Sequence, residues 1–214
     1  MKDLRTEKGK IYAVNDPAKK LSFAEVIKNR YGAGLDIIGR GSYYPVIEGQ
    51  KGGIWSAPSI FWMYGAHGAD VEVDVETGKV KVLKIVGAHD MGKAINPMTC
   101  EGQIEGGMVH GMGPALIEEM LVGEKGEILN PSFADYKVPT ALDIPEVTPL
   151  LVEVPHQDGP WGAKGIGEMT TVPIAAAIAN AIYHAVGVRI KSLPITPEKL
   201  LRALKEKGGA KEKV

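Results

Sequence analysis

The chain has 214 residues, of which 44% are hydrophobic and 24% are charged, a composition typical of a globular protein with one large or two small domains. Its 25 basic and 26 acidic residues nearly cancel and form no basic stripe with interleaved aromatics, which excludes the usual electrostatic signature of nucleic-acid binding. The single cysteine, Cys100, excludes a disulfide framework and a cysteine-ligated iron–sulfur cluster within this sequence.

Neither a membrane span nor a signal peptide is predicted. The longest apolar stretch, residues 172–186, is interrupted by Asn180 and His184 and falls short of a membrane span. The N-terminal residues are polar and lack the apolar core of a signal peptide. We therefore expect a cytoplasmic protein.

The polar ends of the chain predict a frayed N-terminal segment over residues 1–20 and a disordered tail over residues 205–214. Between them we expect one domain, residues 21–204. Ser22 and Glu25 have the spacing of a capping box, which predicts a helix that starts at residue 23 and ends before Gly32.

A strand over residues 35–44 and a glycine-rich loop over residues 49–58 are predicted next. After them comes the clearest β pattern. Residues 69–75 and 79–86 both alternate apolar and charged side chains on either side of a Glu-Thr-Gly turn, which predicts a hairpin. His67 lies just before this alternation, and we interpret it as structural, because a lone histidine is more often structural than a ligand.

Small and apolar residues over 99–120 predict a helix with five glycines, although each glycine costs about 1 kcal/mol relative to alanine. Two explanations stay open: close packing against another element, or contact with a large cofactor. A dinucleotide-binding fingerprint is excluded, because Gly111-Met-Gly113 lacks the third glycine, is followed by Pro114 and does not follow a strand.

One segment combines a glycine-rich backbone with a candidate catalytic side chain. It has three glycines, Gly162, Gly165 and Gly167, followed directly by Glu168. An apolar helix is predicted directly after it, over residues 172–186. Glycines let a backbone approach a bulky ligand, and the N-terminus of a helix suits anionic groups. Glu168 can therefore act as a general base, or it can simply cap or solvate the first helical turn; the residues alone leave both open.

Together these elements predict an α+β fold. We expect one mixed or antiparallel sheet that includes the hairpin of residues 70–86, with the helices over 99–120 and 172–186 packed on it. Residues 147–154 add a further strand, and Pro149 inside it favours a position at the edge of a sheet.

Two segments resemble one known family. Residues 162–168 (Gly-Ala-Lys-Gly-Ile-Gly-Glu), followed by Pro173 and Ala-Ile-Ala-Asn-Ala-Ile over 177–182, resemble the C-terminal portion of the molybdenum-binding subunit of the xanthine dehydrogenase/aldehyde oxidase family. Residues 87–97 and 101–113, which include Glu-Gly-Gln-Ile-Glu-Gly-Gly, are similar to the second signature of the same family. The resemblance implies the C-terminal molybdopterin-binding fold of molybdenum hydroxylases.

By this resemblance Glu168 is the active-site base beside the molybdenum, and Gln103 binds the pterin. An amide suits a pterin edge because it donates and accepts hydrogen bonds, whereas the alternative for Gln103 is a helix residue that bonds to its own neighbours. No side chain of this chain is expected to ligate the metal. The other positions that the resemblance assigns to the cofactor are Thr99, Cys100, Lys164, Gly165, Ile166 and Gly167.

The resemblance implies that the chain is part of a molybdenum hydroxylase, active only in a complex, which oxidises an aldehyde or N-heterocycle with oxygen derived from water. The implied cofactor is molybdopterin with molybdenum, in the cytosine dinucleotide form. Iron–sulfur clusters and FAD are expected on partner subunits. The upstream half of the molybdenum subunit is expected as a further partner, because the family's subunits are several times longer than this chain. The alternative is a non-catalytic truncated or assembly module that keeps the fold but lacks a complete site.

Overall fold

The computed structural model describes residues 3–32, 38–42 and 61–211. The chain divides into two compact units, Met1–Tyr44 and Pro45–Val214. The division falls inside the range for which the sequence predicted a single domain, residues 21–204.

The first unit starts with three strands, where the sequence predicted a frayed segment. Strands β1 (Leu4–Glu7), β2 (Lys10–Ala13) and β3 (Asp16–Ser22) form an antiparallel sheet in that order. Lys8 and Gly9 both have positive φ, 47° and 74°, which is the geometry of a two-residue hairpin turn. The prediction was wrong because these strands have no buried residue, so their sequence lacks the apolar alternation of a half-buried sheet.

Helix α1 (Phe23–Tyr31) follows β3 and confirms the predicted start. The Ser22 side chain accepts a hydrogen bond from the N–H of Glu25 at 3.1 Å, and the Glu25 carboxylate accepts one from the N–H of Ser22 at 2.7 Å, a complete capping box. Of the strand predicted over 35–44, residues 38–42 are irregular and the others lie outside the described residues. The glycine-rich loop predicted over 49–58 lies outside them as well.

The second unit has a mixed sheet, as predicted. Strands β4 (Gly65–Val73) and β5 (Val80–Asp90) form the expected antiparallel hairpin. Strand β6 (Glu146–Val152) pairs in parallel with β5 and lies at the edge of this sheet, which accommodates the missing N–H of Pro149.

The described residues of the second unit also form three α-helices: α2 (Pro97–Leu116), α3 (Ile174–Val186) and α4 (Pro197–Lys211). The two helices predicted to pack on the sheet are α2 and α3, and both do so. The predicted disordered tail is wrong for residues 205–211, because α4 continues through them. Its Leu200 is fully buried and Leu204 packs against the core, so the helix is anchored by tertiary contacts that its polar last turns do not reveal.

The core of the second unit lies between the sheet and the two helices. Ile174, Ile178 and Ile182 form one buried stripe of α3 at helical spacing. In β5 the inward positions change from Val82 to Ile85, because Leu83 is an extra residue in a bulge opposite the step from Asp70 to Val71.

One segment of the described residues, Glu168–Val186, is long and apolar enough to cross a membrane by length and composition. The sequence predicted no membrane span here, because residues 172–186 are too short. Its continuous helix, α3, has 13 residues, and at 1.5 Å per residue it is about 20 Å long, against about 30 Å for a bilayer core. The stripe of buried isoleucines is instead the pattern of a helix packed on a protein core.

Candidate functional site

An open cleft of about 650 Å³ lies beside the contact between α2 and the segment that precedes α3. Gln103 and Glu168, the two residues with the most specific predicted roles, line the same cleft, Gln103 from α2 and Glu168 from the segment before α3. The other residues of its lining are Gly102, Gly106, Gly107, His110, Gly167, Thr170, Thr171 and Val172.

The glycines of α2 serve two different faces of the helix. A Cβ atom at Gly107 would overlap the Thr170 hydroxyl, and one at Gly111 would overlap the Ile174 side chain, so both glycines allow close packing on the segment before α3. In contrast, a Cβ atom at Gly102 or Gly106 would have no described atom within 4 Å. Close packing therefore explains Gly107 and Gly111. Gly102 and Gly106 instead leave one side of the cleft, here called its floor, without side chains.

Helical geometry places three groups of α2 along this floor. Gln103, Gly106 and His110 are three and four residues apart, so they lie on one face, opposite the buried face that includes Ile104 and Met108. The Gln103 side chain is exposed and makes no hydrogen bond with a described residue. His110 was not predicted as a site residue, although its spacing of seven residues from Gln103 indicated the shared face.

Glu168 begins a short 3₁₀ turn, Glu168–Thr170, which ends shortly before α3. Its side chain is exposed and faces the cleft. The alternative function as a helix cap is not observed: no N–H group of the described residues donates to this carboxylate, and α3 starts after Pro173 without a side-chain cap. The carboxylate is therefore free to bind or accept a proton from a group in the cleft.

The glycine-rich loop before Glu168 is attached to the end of β5. The N–H of Lys164 donates to the carbonyl of Met91 at 2.8 Å, and the N–H of Lys93 donates to the carbonyl of Gly162 at 2.9 Å. Gly92, with φ 66°, lies between these bonds, and a Cβ atom there would overlap the Gly162 carbonyl. The loop therefore follows the exit of β5 at backbone distance.

A buried ion pair strengthens this attachment. Lys164 Nζ lies 2.5 Å from Asp90 Oδ2, and the two side chains are 6% and 7% exposed. Burial acts to raise the pKa of Asp90, but the Lys164 ammonium and the N–H of Gly92 outweigh it and hold the pKa below its ordinary value. The Lys164 side chain is thus committed to Asp90 and does not reach the cleft.

The other predicted cofactor positions differ in where they lie. Gly167 lines the cleft. Thr99 is exposed in the first turn of α2, where its hydroxyl donates to the carbonyl of Asn96 at 3.0 Å. Cys100 is 8% exposed and belongs to the core, Ile166 packs against that core, and Gly165 lies next to Met63. For Thr99, Cys100, Lys164, Gly165 and Ile166, contact with a cofactor stays a prediction.

A pair of histidines lies away from the cleft, in the β4–β5 hairpin. Nε2 of His67 is 2.6 Å from Nε2 of His89, so one ring donates and the other accepts. The Nδ1 atoms of both rings are buried without a partner among the described residues. No cluster of three or more potential metal ligands is found within residues 3–32, 38–42 and 61–211.

Comparison with known proteins identifies what this arrangement is similar to. The family model of the molybdopterin cofactor-binding domain matches residues 1–145, a range that contains Gln103 but ends before Glu168.

Relatives of known name are longer than this chain. It is 42% identical over 138 residues to the putative xanthine dehydrogenase molybdenum-binding subunit XdhA of Escherichia coli (strain K12), which is 64% of this chain and 18% of that protein. It is 41% identical over 150 residues to the aldehyde oxidoreductase of Megalodesulfovibrio gigas, 69% of this chain and 16% of that protein. The chain thus matches less than a fifth of the length of these two relatives.

Solved structures extend the similarity beyond the residues of the family model. Quinoline 2-oxidoreductase from Pseudomonas putida 86 matches 96% of this chain and 26% of its own, with a TM-score of 0.76 and 29% sequence identity. Aldehyde oxidoreductase from Desulfovibrio gigas matches 67% of this chain and 15% of its own, with a TM-score of 0.62 and 40% identity. The mixed sheet with its packed helices is therefore the fold of the corresponding part of these enzymes.

Proposed function

Because this chain belongs to the molybdopterin cofactor-binding domain family, we propose that it forms part of the active site of a molybdenum hydroxylase. In this proposal the whole enzyme oxidises an aldehyde or an N-heterocycle with oxygen derived from water. The names of the relatives, among them an aldehyde oxidoreductase and a quinoline oxidoreductase, support this substrate class. The observation on which the proposal depends is that Gln103 and Glu168 line one cleft.

The chemistry of the cleft fits a molybdopterin. A flat, bulky heterocycle needs a wall without side chains, and Gly102 and Gly106 supply one. Its edge needs donors and acceptors together, and the free amide of Gln103 supplies both. We assign pterin binding to Gln103 and backbone approach to Gly106 and Gly167, with the cytosine dinucleotide form as the expected cofactor.

The proposed chemical step places Glu168 as the general base. The bound cofactor supplies the molybdenum and with it the two-electron redox chemistry. The Glu168 carboxylate would accept, at one of its oxygens, the proton of the water-derived hydroxyl whose oxygen enters the product, and it would release this proton to solvent afterwards. A general base of this kind contributes typically about 10²–10⁴ to the rate.

The same proposal assigns partners to the chain. The rest of the molybdenum subunit, an iron–sulfur subunit and an FAD subunit complete the enzyme, which acts on a small-molecule substrate. Exposed large apolar side chains of the second unit, such as Phe133, Leu142 and Trp161, support burial in a hetero-oligomer. The cytoplasm is the expected compartment.

The first test replaces the carboxylate by its neutral isostere. In the assembled complex Glu168→Gln keeps molybdenum at the wild-type level and lowers kcat by about 10²–10⁴, because the amide cannot accept the proton. The matched control is Glu105→Gln, since Glu105 is exposed on α2 and does not line the cleft. Molybdenum is measured by elemental analysis and turnover by aldehyde oxidation with an artificial electron acceptor.

Two results would contradict the proposal. If Glu168→Gln turns over within a few-fold of the wild type at full molybdenum content, Glu168 is not the base. If no assembly that contains this chain holds molybdenum, the alternative of a non-catalytic module is correct.

A further inference from the structure

The side chain of Thr170 connects the two walls of the cleft. Thr170 is 1% exposed, and its Oγ1 lies 2.8 Å from the carbonyl oxygen of Gly167 and 3.3 Å from that of Gln103. A hydroxyl has one hydrogen, so it donates mainly to the nearer carbonyl of Gly167 and more weakly to that of Gln103. The two acceptors belong to the residue that precedes Glu168 and to the residue assigned to the pterin.

Close packing fixes the Thr170 side chain against α2. A Cβ atom at Gly107 would overlap Oγ1 of Thr170 and lie 2.6 Å from its Cβ. Gly107 therefore gives the threonine room to approach the helix backbone, and the filled space leaves the hydroxyl little freedom to turn elsewhere.

The turn that contains Glu168 depends on few other bonds. The N–H of Thr170 donates to the carbonyl of Gly167 at 3.3 Å, and the N–H of Thr171 donates to the carbonyl of Glu168 at 3.0 Å. Hydrogen bonds in 3₁₀ turns have poor geometry, so such turns are weak by themselves. The side-chain bond at 2.8 Å to the Gly167 carbonyl thus strengthens the turn, and the longer one at 3.3 Å to the Gln103 carbonyl ties it to α2.

We propose that Thr170 is a positioning residue whose buried hydroxyl, hydrogen-bonded between the Gly167 and Gln103 carbonyls, sets the direction of the Glu168 carboxylate across the cleft. This inference rests on the proposed function, in which Glu168 is the base. A base displaced by about 1 Å from the reacting atoms loses up to about 10²-fold in rate.

The test compares two variants that separate the hydroxyl from the shape. Thr170→Val keeps the shape and loses the hydroxyl, whereas Thr170→Ser keeps the hydroxyl and loses the methyl group. Thr148→Val is the matched control, because the hydroxyl of this part-buried threonine in β6 makes no hydrogen bond with a described residue.

The first readout does not depend on activity. Hydrogen–deuterium exchange of the amides of Thr170 and Thr171 becomes about tenfold faster in Thr170→Val, because the turn opens more often. In Thr170→Ser these amides exchange as in the wild type. The Thr148→Val variant leaves their exchange unchanged.

The second readout is steady-state kinetics of the assembled enzyme, expressed per molybdenum. Thr170→Val lowers kcat by about 10- to 10²-fold with KM close to the wild-type value, because the base is displaced while the substrate is bound by other groups. Thr170→Ser has a kcat close to the wild-type value. If Thr170→Val does not take up molybdenum, Thr170→Ser is the deciding variant. A kcat near the wild-type value together with protected amides supports the proposal. A loss of kcat as large as that of Glu168→Gln overturns it.

Other outcomes overturn the inference without touching the proposed function. Thr170→Val with unchanged exchange, or with fast exchange and wild-type kcat per molybdenum, shows that the hydroxyl does not position Glu168. The variant Glu168→Gln is measured in parallel, because its kcat tests whether Glu168 is the base and does not depend on the role of Thr170.

Discussion

Single glycines of α2 differ in what a methyl group would meet. At Gly102 it would meet no described atom, whereas at Gly107 it would overlap Thr170. The two positions lie on the same helix and have the same intrinsic preference for alanine. Alanine substitutions at the two positions therefore separate the effect of packing on stability from that of helix propensity.

We predict opposite effects of alanine at these positions on the free energy of unfolding of the cofactor-free protein. Gly102→Ala raises it by about 0.5–1 kcal/mol through helix propensity. Gly107→Ala lowers it by about 1–3 kcal/mol, because the methyl group overpacks the contact with Thr170. Urea unfolding followed by circular dichroism measures both, and equal shifts of the two variants would contradict the structure.

Sequence patterns indicated two residues that line the cleft, whose roles stay predictions, but not the residues around them. Gln103 and Glu168 were assigned by resemblance, and the structure places both on the cleft. Thr170 and Asp90 were missed, because their importance comes from partners 67 and 74 residues away in sequence. No local pattern indicates such partners.

At the scale of elements, the β4–β5 hairpin contains a pH-sensitive contact. Burial, together with the nearby His89 ring, lowers the pKa of His67 to about 4, and burial also lowers the pKa of His89. An unfolded histidine takes up a proton near pH 6.5, whereas folded His67 does so only near pH 4. The unfolded state therefore binds more protons between these values, and stability falls as the pH falls through this window.

We predict that the free energy of unfolding decreases between pH 7 and pH 5 and that His67→Gln makes this decrease smaller. The matched control is His184→Gln, since His184 is exposed near the end of α3. Urea unfolding at both pH values gives the slope. The same slope in the wild type and in His67→Gln would show that the pair does not link protonation to folding.

Elements with a buried face were predicted well, and elements without one were not. The β4–β5 hairpin, α2 and α3 bury one side, so their apolar periodicity was visible in the sequence. The three strands over residues 4–22 bury no residue, and the last turns of α4 are polar, so both were predicted as irregular. The bulge at Leu83 could not be predicted, because it depends on the register with β4.

At the scale of the whole molecule, the chain corresponds to a small part of its relatives, 18% of the E. coli subunit XdhA and 26% of quinoline 2-oxidoreductase. The cleft is open, and Gln103 and Glu168 are both exposed. Leu142 is 97% exposed and Trp161 is 87% exposed with a left-handed φ of 52°. A strained, exposed tryptophan in the loop that leads to Glu168 is consistent with a surface that a partner covers.

We propose above all that this cleft holds a molybdopterin in a complex with the other parts of a molybdenum hydroxylase. The most direct measurement is the molybdenum and CMP content of this chain purified together with the polypeptides encoded beside it. We predict one molybdenum and one CMP per copy of the chain, and a clear loss of both in Gly102→Ala, whose methyl group intrudes on the floor of the cleft. A stable complex without molybdenum, or a Gly102→Ala complex with the full content of both, would contradict the assignment of the cleft.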